Sequence, residues 1–278
     1  MSSEINLALI GASGVVGKKI ISLLEKKNVK VKNFYPLGSS SVGDKISFND
    51  QIFEIESLSN FDCASVDIAI FSAGSSVARD YAPDFVKKGV YVVDLSSEFR
   101  YEEDIPLIIP EINPQALIDA DGPILIANPN CSVSQLLIAI EPIHRKFNID
   151  ILNIATYQAV SGTGRKAVEE LHNQVEDRSL EPDIYPKQIA FNVIPQCDVF
   201  LENDFTKEEM KVTWETKKIL DPNIEVQATC ARVPVVNGHS EAVFFRTEHS
   251  ISKDEIIELL SSYKSIKVID DPKNLDYP

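Results

Sequence analysis

Over the first 130 residues short apolar runs alternate with segments of helical periodicity. INLALIGA (5–12) predicts a buried strand, and KKIISLLEKK (18–27) carries apolar residues at helical spacing. VKNFYPLG (31–38) predicts a second strand, and ISFNDQIFEIESL (46–58) alternates around Asn49–Asp50 as a hairpin does. VDIAIFSAG (66–74), VYVVDLSS (90–97) and PILIANPN (123–130) predict further strands, the first followed by a helix over 75–88. Apolar strands alternating with helices imply an α/β unit, a mostly parallel sheet covered on both faces. The pattern changes after residue 131. A helix (132–147) leads into ILNIATYQAVSG (151–162), a longer strand of alternating polarity. Another helix and an irregular, proline-bearing stretch (181–205) follow. FTKEEMKVTWETKKIL (205–220) predicts a helix with acids early and lysines late, matching the helix dipole. VQATCARVPV (226–235) and HSEAVFFRTE alternate as antiparallel strands do, and SKDEIIELLSSY (252–263) predicts a helix opened by Ser–Asp–Glu. The second half thus reads as α+β with an antiparallel sheet.

Composition narrows the partners. A chain of 278 residues accommodates two domains. Its 27 basic against 42 acidic residues give −15, which disfavours nucleic acid or an anionic membrane. An anionic ligand must therefore be held by local cations. No apolar run reaches the roughly 18 residues of a spanning helix. The start, MSSEINLALIGAS, lacks a basic region and a cleavage site, so no signal peptide is expected. The cysteines at 63, 131, 197 and 230 show no paired spacing, which predicts reduced thiols and a cytoplasmic location. The four histidines and scattered cysteines give no metal-ligand constellation. The sequence stops at PKNLDYP without a closing element, so a terminal strand or helix is expected to be missing.

Between the first strand and helix lies GASGVVG (11–17). In that context backbone N–H groups and a helix N-terminus face a pyrophosphate. Gly11 and Gly14 permit the tight turn and close approach, and Gly17 permits close helix–strand packing. A tight turn without a ligand is the alternative. The end of the second strand, LGSSSVG (37–43), offers three hydroxyls and no acid before Asp44, which points to NADP rather than NAD.

NPNCSV places Cys131 at the first turn of a helix, where unpaired N–H groups favour a thiolate. A thiolate beside a nicotinamide suggests addition to an aldehyde, hydride loss to the cofactor and a thioester product. Burial as a small hydrophobe is the alternative for any lone cysteine, and it is the reading for Cys63, Cys197 and Cys230. DLSSEFR offers Arg100 after a strand end, and TYQAVSGTGRK offers Gln158 and a glycine-containing turn. EEMK sets Glu208 and Lys211 on one helix face, and RVPVVNGHSEA sets Arg232 and His239 at either end of a Pro/Gly stretch.

These segments, GASGVVG, DLSSEFR, NPNCSV, YQAVSGTGR, EEMK and RVPVVNGHSEA, occur in the order and spacing of the aspartate-semialdehyde dehydrogenase family, which the chain resembles from residue 5 to its end. The related N-acetyl-glutamyl-phosphate reductases share the fold and thiol, but Asn130–Cys131–Ser132 fits the aspartate enzyme better. The resemblance implies a Rossmann-like NADP-binding domain over 1–131. It also implies a catalytic and dimerisation domain over 132–278 with a mixed, mainly antiparallel sheet, the glyceraldehyde-3-phosphate-dehydrogenase-like arrangement. By resemblance Cys131 is the nucleophile, His239 the acid/base and Gln158 the group that orients substrate. Arg232 binds the substrate α-carboxylate and Glu208 its ammonium group, while Arg100, Asn130 and Lys211 form the phosphate pocket. Gly11, Ser13, Gly14, Val15, Val16, Ser40, Ser41, Ala73, Gly74, Ser161 and Gly162 align with cofactor-contacting positions. Many members carry an arginine near Ser40, absent here, and continue for some tens of residues beyond this sequence. The implied reaction is reversible reduction of L-aspartyl-4-phosphate to L-aspartate-4-semialdehyde with release of phosphate. It serves lysine (through diaminopimelate), threonine and methionine synthesis, in a homodimer. A reductase of another acyl phosphate, a non-catalytic NADP-binding protein and a thiol hydrolase are the rival readings.

Overall fold

In the computed structural model, residues 4–277 are described, so the first three residues of the segment read as leaderless lie outside it. The chain divides into two compact units, Met1–Pro129 and Asn130–Pro278.

The first unit is built on strands β1 (Ile5–Ile10), β2 (Val31–Gly38), the hairpin β3 (Lys45–Phe48) and β4 (Gln51–Glu54), and β5 (Glu56–Ser57), β6 (Ile68–Phe71), β7 (Tyr91–Asp94) and β8 (Leu125–Ala127). Six of these form one sheet in the order β5-β2-β1-β6-β7-β8, parallel at each pairing. Helices α1 (Val15–Lys26) and α2 (Ser75–Lys87) make crossovers, and a short α3 (Gln115–Ile118) was not legible in the pattern. Strand side chains alternate in direction, so the apolar run over residues 7–10 of β1 must be buried on both faces. Ala8 and Ile10 pack with Phe71, Ala78, Ala82 and Phe85 on the α2 side. Leu7 and Leu9 pack with Ile21, Phe34 and Phe48 on the α1 side. Each such leucine contributes roughly 1.5–3 kcal/mol relative to exposure. Asn49 and Asp50 turn the hairpin with φ of 49° and 62°, the left-handed values a tight two-residue hairpin turn requires.

The second unit holds α4 (Cys131–Phe147), β9 (Ile149–Gln158), α5 (Arg165–Glu176), α6 (Lys207–Ile219), β10 (Glu225–Arg232), β11 (Ser240–Thr247) and α7 (Lys253–Ser261). Its sheet is mixed, in the order β10-β9-β11. β10 does not run antiparallel to its neighbour as its alternation suggested. β10 and β11 flank β9, with β10 parallel to it and β11 antiparallel. Alternation reports a half-buried strand but not its partner, and the loop between the two strands carries the chain across β9. The register sets Gln158 opposite Arg232 and Tyr157 opposite Ser240, so the ends of three strands meet at one edge of the sheet. Capping boxes open α6 (Thr206 with Glu209) and α7 (Ser252 with Glu255).

Candidate functional site

In the first unit the glycine turn forms one wall of a cleft. Gly11 adopts φ 82°, and a Cβ there would sit 2.9 Å from the Ser72 carbonyl. A Cβ on Gly17 would overlap the carbonyl oxygens of Gly11 and Ala12, so α1 can start this close to the turn only with glycine there. Gly14 is the N-cap of α1 with no side-chain cap, leaving first-turn N–H groups for a ligand. Gly11, Ser13, Gly14, Ser39, Ser40, Ser41, Ser72 and Ala73 line a cleft of ≈ 250 Å³. The Ser13 hydroxyl donates to Ser41 Oγ at 2.9 Å, tying the glycine turn to the serine run. Val15 and Val16 are exposed on the first turn of α1, and Gly74 caps α2 with φ 92°. A glycine cradle, a helix N-terminus and clustered hydroxyls fit a dinucleotide, and none of the described residues lining the cleft is an arginine or lysine. Arg100 also lies in this unit, buried, with Nη2 donating to the Leu95 carbonyl at 3.2 Å. Burial pushes the nearby Asp94 carboxyl above its ordinary value, against hydrogen bonds from Ser96 and the Arg100 charge.

The second unit brings together the other predicted residues. Cys131 is the first residue of α4 and is exposed; Cys63, Cys197 and Cys230 are buried. Burial pushes the thiols of Cys197 and Cys230 up to about 12. Asn130 caps α4, its side chain accepting from the Ser132 and Val133 N–H groups at 2.9 and 3.4 Å. Its Nδ2 donates to Glu208 Oε1 at 2.9 Å, and its backbone N–H donates to Glu215 Oε2 at 2.6 Å. The helix start carrying the thiol is therefore fixed from α6.

His239 Nε2 stands 3.2 Å from Cys131 Sγ. Its Nδ1 accepts the Ala159 N–H at 3.0 Å. That backbone donor assigns the neutral tautomer, placing the ring proton on Nε2, toward sulfur. Burial lowers the His239 pKa, the Arg232 cation lowers it further and Glu208 opposes them, so the imidazole stays neutral. A Cβ on Gly162 would lie 3.1 Å from Arg232 Nη1 and 3.2 Å from His239 Cε1, so glycine there lets both approach; Ser161 precedes it in the same turn.

Glu208 is the hub. Oε1 accepts from Asn130 Nδ2 and Gln158 Nε2, both at 2.9 Å, and Oε2 accepts from Lys211 at 3.1 Å. Burial pushes its carboxyl up, but the Lys211 cation and these hydrogen bonds outweigh it and hold the pKa below normal. Lys211 also binds Asp198 at 2.6 Å; burial works against its charge, and the two carboxylates more than restore it. A carboxylate offers about four acceptor sites and an ammonium three donors, so Glu208 and Lys211 each keep one direction for a ligand. Gln158 is 1 % exposed. Its Nε2 donates to Ser132 Oγ at 2.7 Å and to Glu208, which fixes the amide orientation and leaves buried Oε1 without a protein partner among the described residues. Arg232 donates from Nη1 to the Ala159 carbonyl at 2.8 Å, and its buried Nε is likewise unpartnered among the described residues.

Asp198 and Glu215 were missed from sequence. Glu215 was findable, since 208, 211 and 215 share one face of α6. Asp198 sits in the irregular stretch at φ 67°, where no periodicity marks it. Among the described residues no three or more His, Cys, Asp or Glu could hold a metal ion, and no helix is long and apolar enough to cross a membrane.

Residues 6–120 match the family model described as semialdehyde dehydrogenase, NAD binding domain, and residues 140–278 match semialdehyde dehydrogenase, dimerisation domain. The chain is 44% identical over 284 residues to an aspartate-semialdehyde dehydrogenase of Shewanella sp. (strain DB6705), covering 100% of this chain and 83% of that one. A crystal structure of aspartate semialdehyde dehydrogenase II from Vibrio cholerae, complexed with ASA, superposes with TM-score 0.93 at 40% identity, covering 96% of this chain and 81% of that one. The Candida albicans enzyme, solved with NADP, gives TM-score 0.71 at 25% identity, covering 94% and 77%.

Proposed function

We propose, from the premise that the chain belongs to the aspartate-semialdehyde dehydrogenase family, that it reduces L-aspartyl-4-phosphate reversibly through a Cys131 thioester. The single observation that carries this reading is the Cys131–His239 pair at 3.2 Å, set beside the Glu208 network. The Cys131 thiolate attacks the acyl carbon, the C–S bond forms and the C–O bond to phosphate breaks. When bound, the nicotinamide supplies the hydride that reduces the thioester. The Nε2–H of His239 donates a hydrogen bond to the oxyanion, which collapses to the aldehyde as the C–S bond breaks and the Cys131 sulfur leaves as thiolate. Gln158 orients the substrate beside the thiol. Arg232 takes the α-carboxylate with its planar fork, and Glu208 meets the ammonium through its open acceptor site. Lys211 and Asn130 hold the phosphate, and the family resemblance assigns Arg100 the same role. These cations give an anionic substrate a local welcome in a chain of net charge −15.

The cofactor reading is NADP. It is supported by the hydroxyl-lined cleft, where Gly11, Ser13, Gly14, Ser40, Ser41 and Ala73 are among the lining residues and none of the described lining residues is an acid; Val15, Val16, Gly74, Ser161 and Gly162 are the further cofactor positions that the family resemblance implies. The exposed side of the β9–β11 sheet, with Tyr157 and Phe244, supports a homodimer, as does the matched dimerisation domain. The pathway reading is lysine, threonine and methionine synthesis in the cytoplasm. Turnover is tested by following oxidation of aspartate semialdehyde with NADP⁺ or NAD⁺, with and without phosphate. Phosphate-dependent turnover, faster with NADP⁺ and lost in Cys131→Ala, is expected; turnover that survives Cys131→Ala would overturn the mechanism.

A further inference from the structure

His239 lies one residue before β11 begins and follows Gly238, whose φ is 88°. The chain at this point leaves a loop, so the sheet ladder alone does not fix the histidine backbone. Gln135 lies one helical turn beyond Cys131 on α4, on the same face. Its Nε2 donates to the His239 carbonyl at 3.3 Å and to Glu241 Oε1 at 2.8 Å, using both amide hydrogens. Glu241 sits on β11, two residues beyond His239 and opposite Thr156 of β9.

We infer that Gln135 and Glu241 are positioning residues that lock the His239 backbone to the helix carrying Cys131. Gln135 reaches back from the thiol's own helix, and Glu241 holds the Gln135 amide in the orientation that meets the His239 carbonyl. Ala159 fixes the ring from the other side, so the imidazole is held at both its ring and its backbone. The Glu241 side chain is half-buried, and this burial raises its pKa to about 7 against the Gln135 hydrogen bond. The inference rests on the catalytic reading of Cys131 and His239.

The test compares wild type with Gln135→Ala, Glu241→Ala, Glu241→Gln and the Gln135→Ala/Glu241→Ala double variant. The readouts are kcat, KM, melting temperature and the pH profile of Cys131 alkylation by iodoacetamide. Each alanine variant is expected to lower kcat roughly tenfold, the scale set by misplacing a catalytic group, with KM within about twofold. The double variant falls no further than the worse single. Glu241→Gln keeps an oxygen acceptor for Gln135 and loses less than Glu241→Ala. The alkylation profiles of the alanine variants move toward that of His239→Ala, with melting temperature held. Unchanged kcat and alkylation profiles, or losses that add in the double variant, would overturn the inference. Alkylation needs no turnover, so an inactive wild type would contradict the proposed reaction while the positioning role is still decided by the profiles.

Discussion

His239 points its Nε2 at Cys131 Sγ from 3.2 Å while its Nδ1 receives the Ala159 backbone N–H. The two contacts together define a neutral imidazole donating toward sulfur. His239→Asn is too short to bring its amide N–H to the place of Nε2, so the oxyanion loses its donor. We expect kcat to fall by roughly 10²–10³ with a small change in KM, the range for losing an oxyanion donor. Steady-state kinetics in both directions check this, and retention of kcat within a few-fold would contradict the role.

The His239 pKa lies below its ordinary 6.5, first through burial and then through the Arg232 charge. Protonation therefore begins only at lower pH, and the acid limb of kcat/KM attributable to His239 falls below pH 6.5. Arg232→Gln removes one of the two causes and moves that limb toward higher pH. A pH–rate series on both proteins reads the shift.

Removing the Glu208 charge leaves buried Lys211 with only Asp198. Glu208→Gln is expected to destabilise the fold by about 3–5 kcal/mol, the usual cost of breaking one side of a buried pair. Because the folded pKa of Glu208 lies below its ordinary 4.5, its contribution is complete above about pH 4.5 and is lost as pH falls through the folded value. Denaturant melts at neutral and acidic pH should therefore converge for wild type and variant at the acidic end.

Much of the fold was legible because periodicity was strong. β1 reads as a buried parallel strand since both its faces are covered, and α6 announces itself with Thr206 and Glu209. The direction of β10 was not legible, since it depends on which neighbour β9 offers rather than on any local pattern. In the site, Cys131, His239, Gln158, Glu208, Lys211, Asn130 and Arg232 were singled out from sequence, and the structure gathers them in one unit. The supporting residues Asp198, Gln135 and Glu241 were invisible, because their importance lies in distances across the fold and not in spacing along the chain.

Gly17 offers a test of the nucleotide cradle. Alanine normally improves a helix, but here its Cβ would overlap backbone carbonyls that cannot move aside. Gly17→Ala should cost roughly 1–3 kcal/mol by overpacking and weaken cofactor binding. Calorimetric titration with NADP⁺, beside a melting curve, checks both effects.

The acyl group on Cys131 is the intermediate on which the proposed reaction turns. The protein is incubated with aspartate semialdehyde and NADP⁺ without phosphate, quenched in acid and mapped by peptide mass. One aspartyl group is expected on the Cys131 peptide, discharged when phosphate is added before the quench. A protein that turns over with Cys131 unmodified, or an acyl group found on Cys63, Cys197 or Cys230, would contradict it.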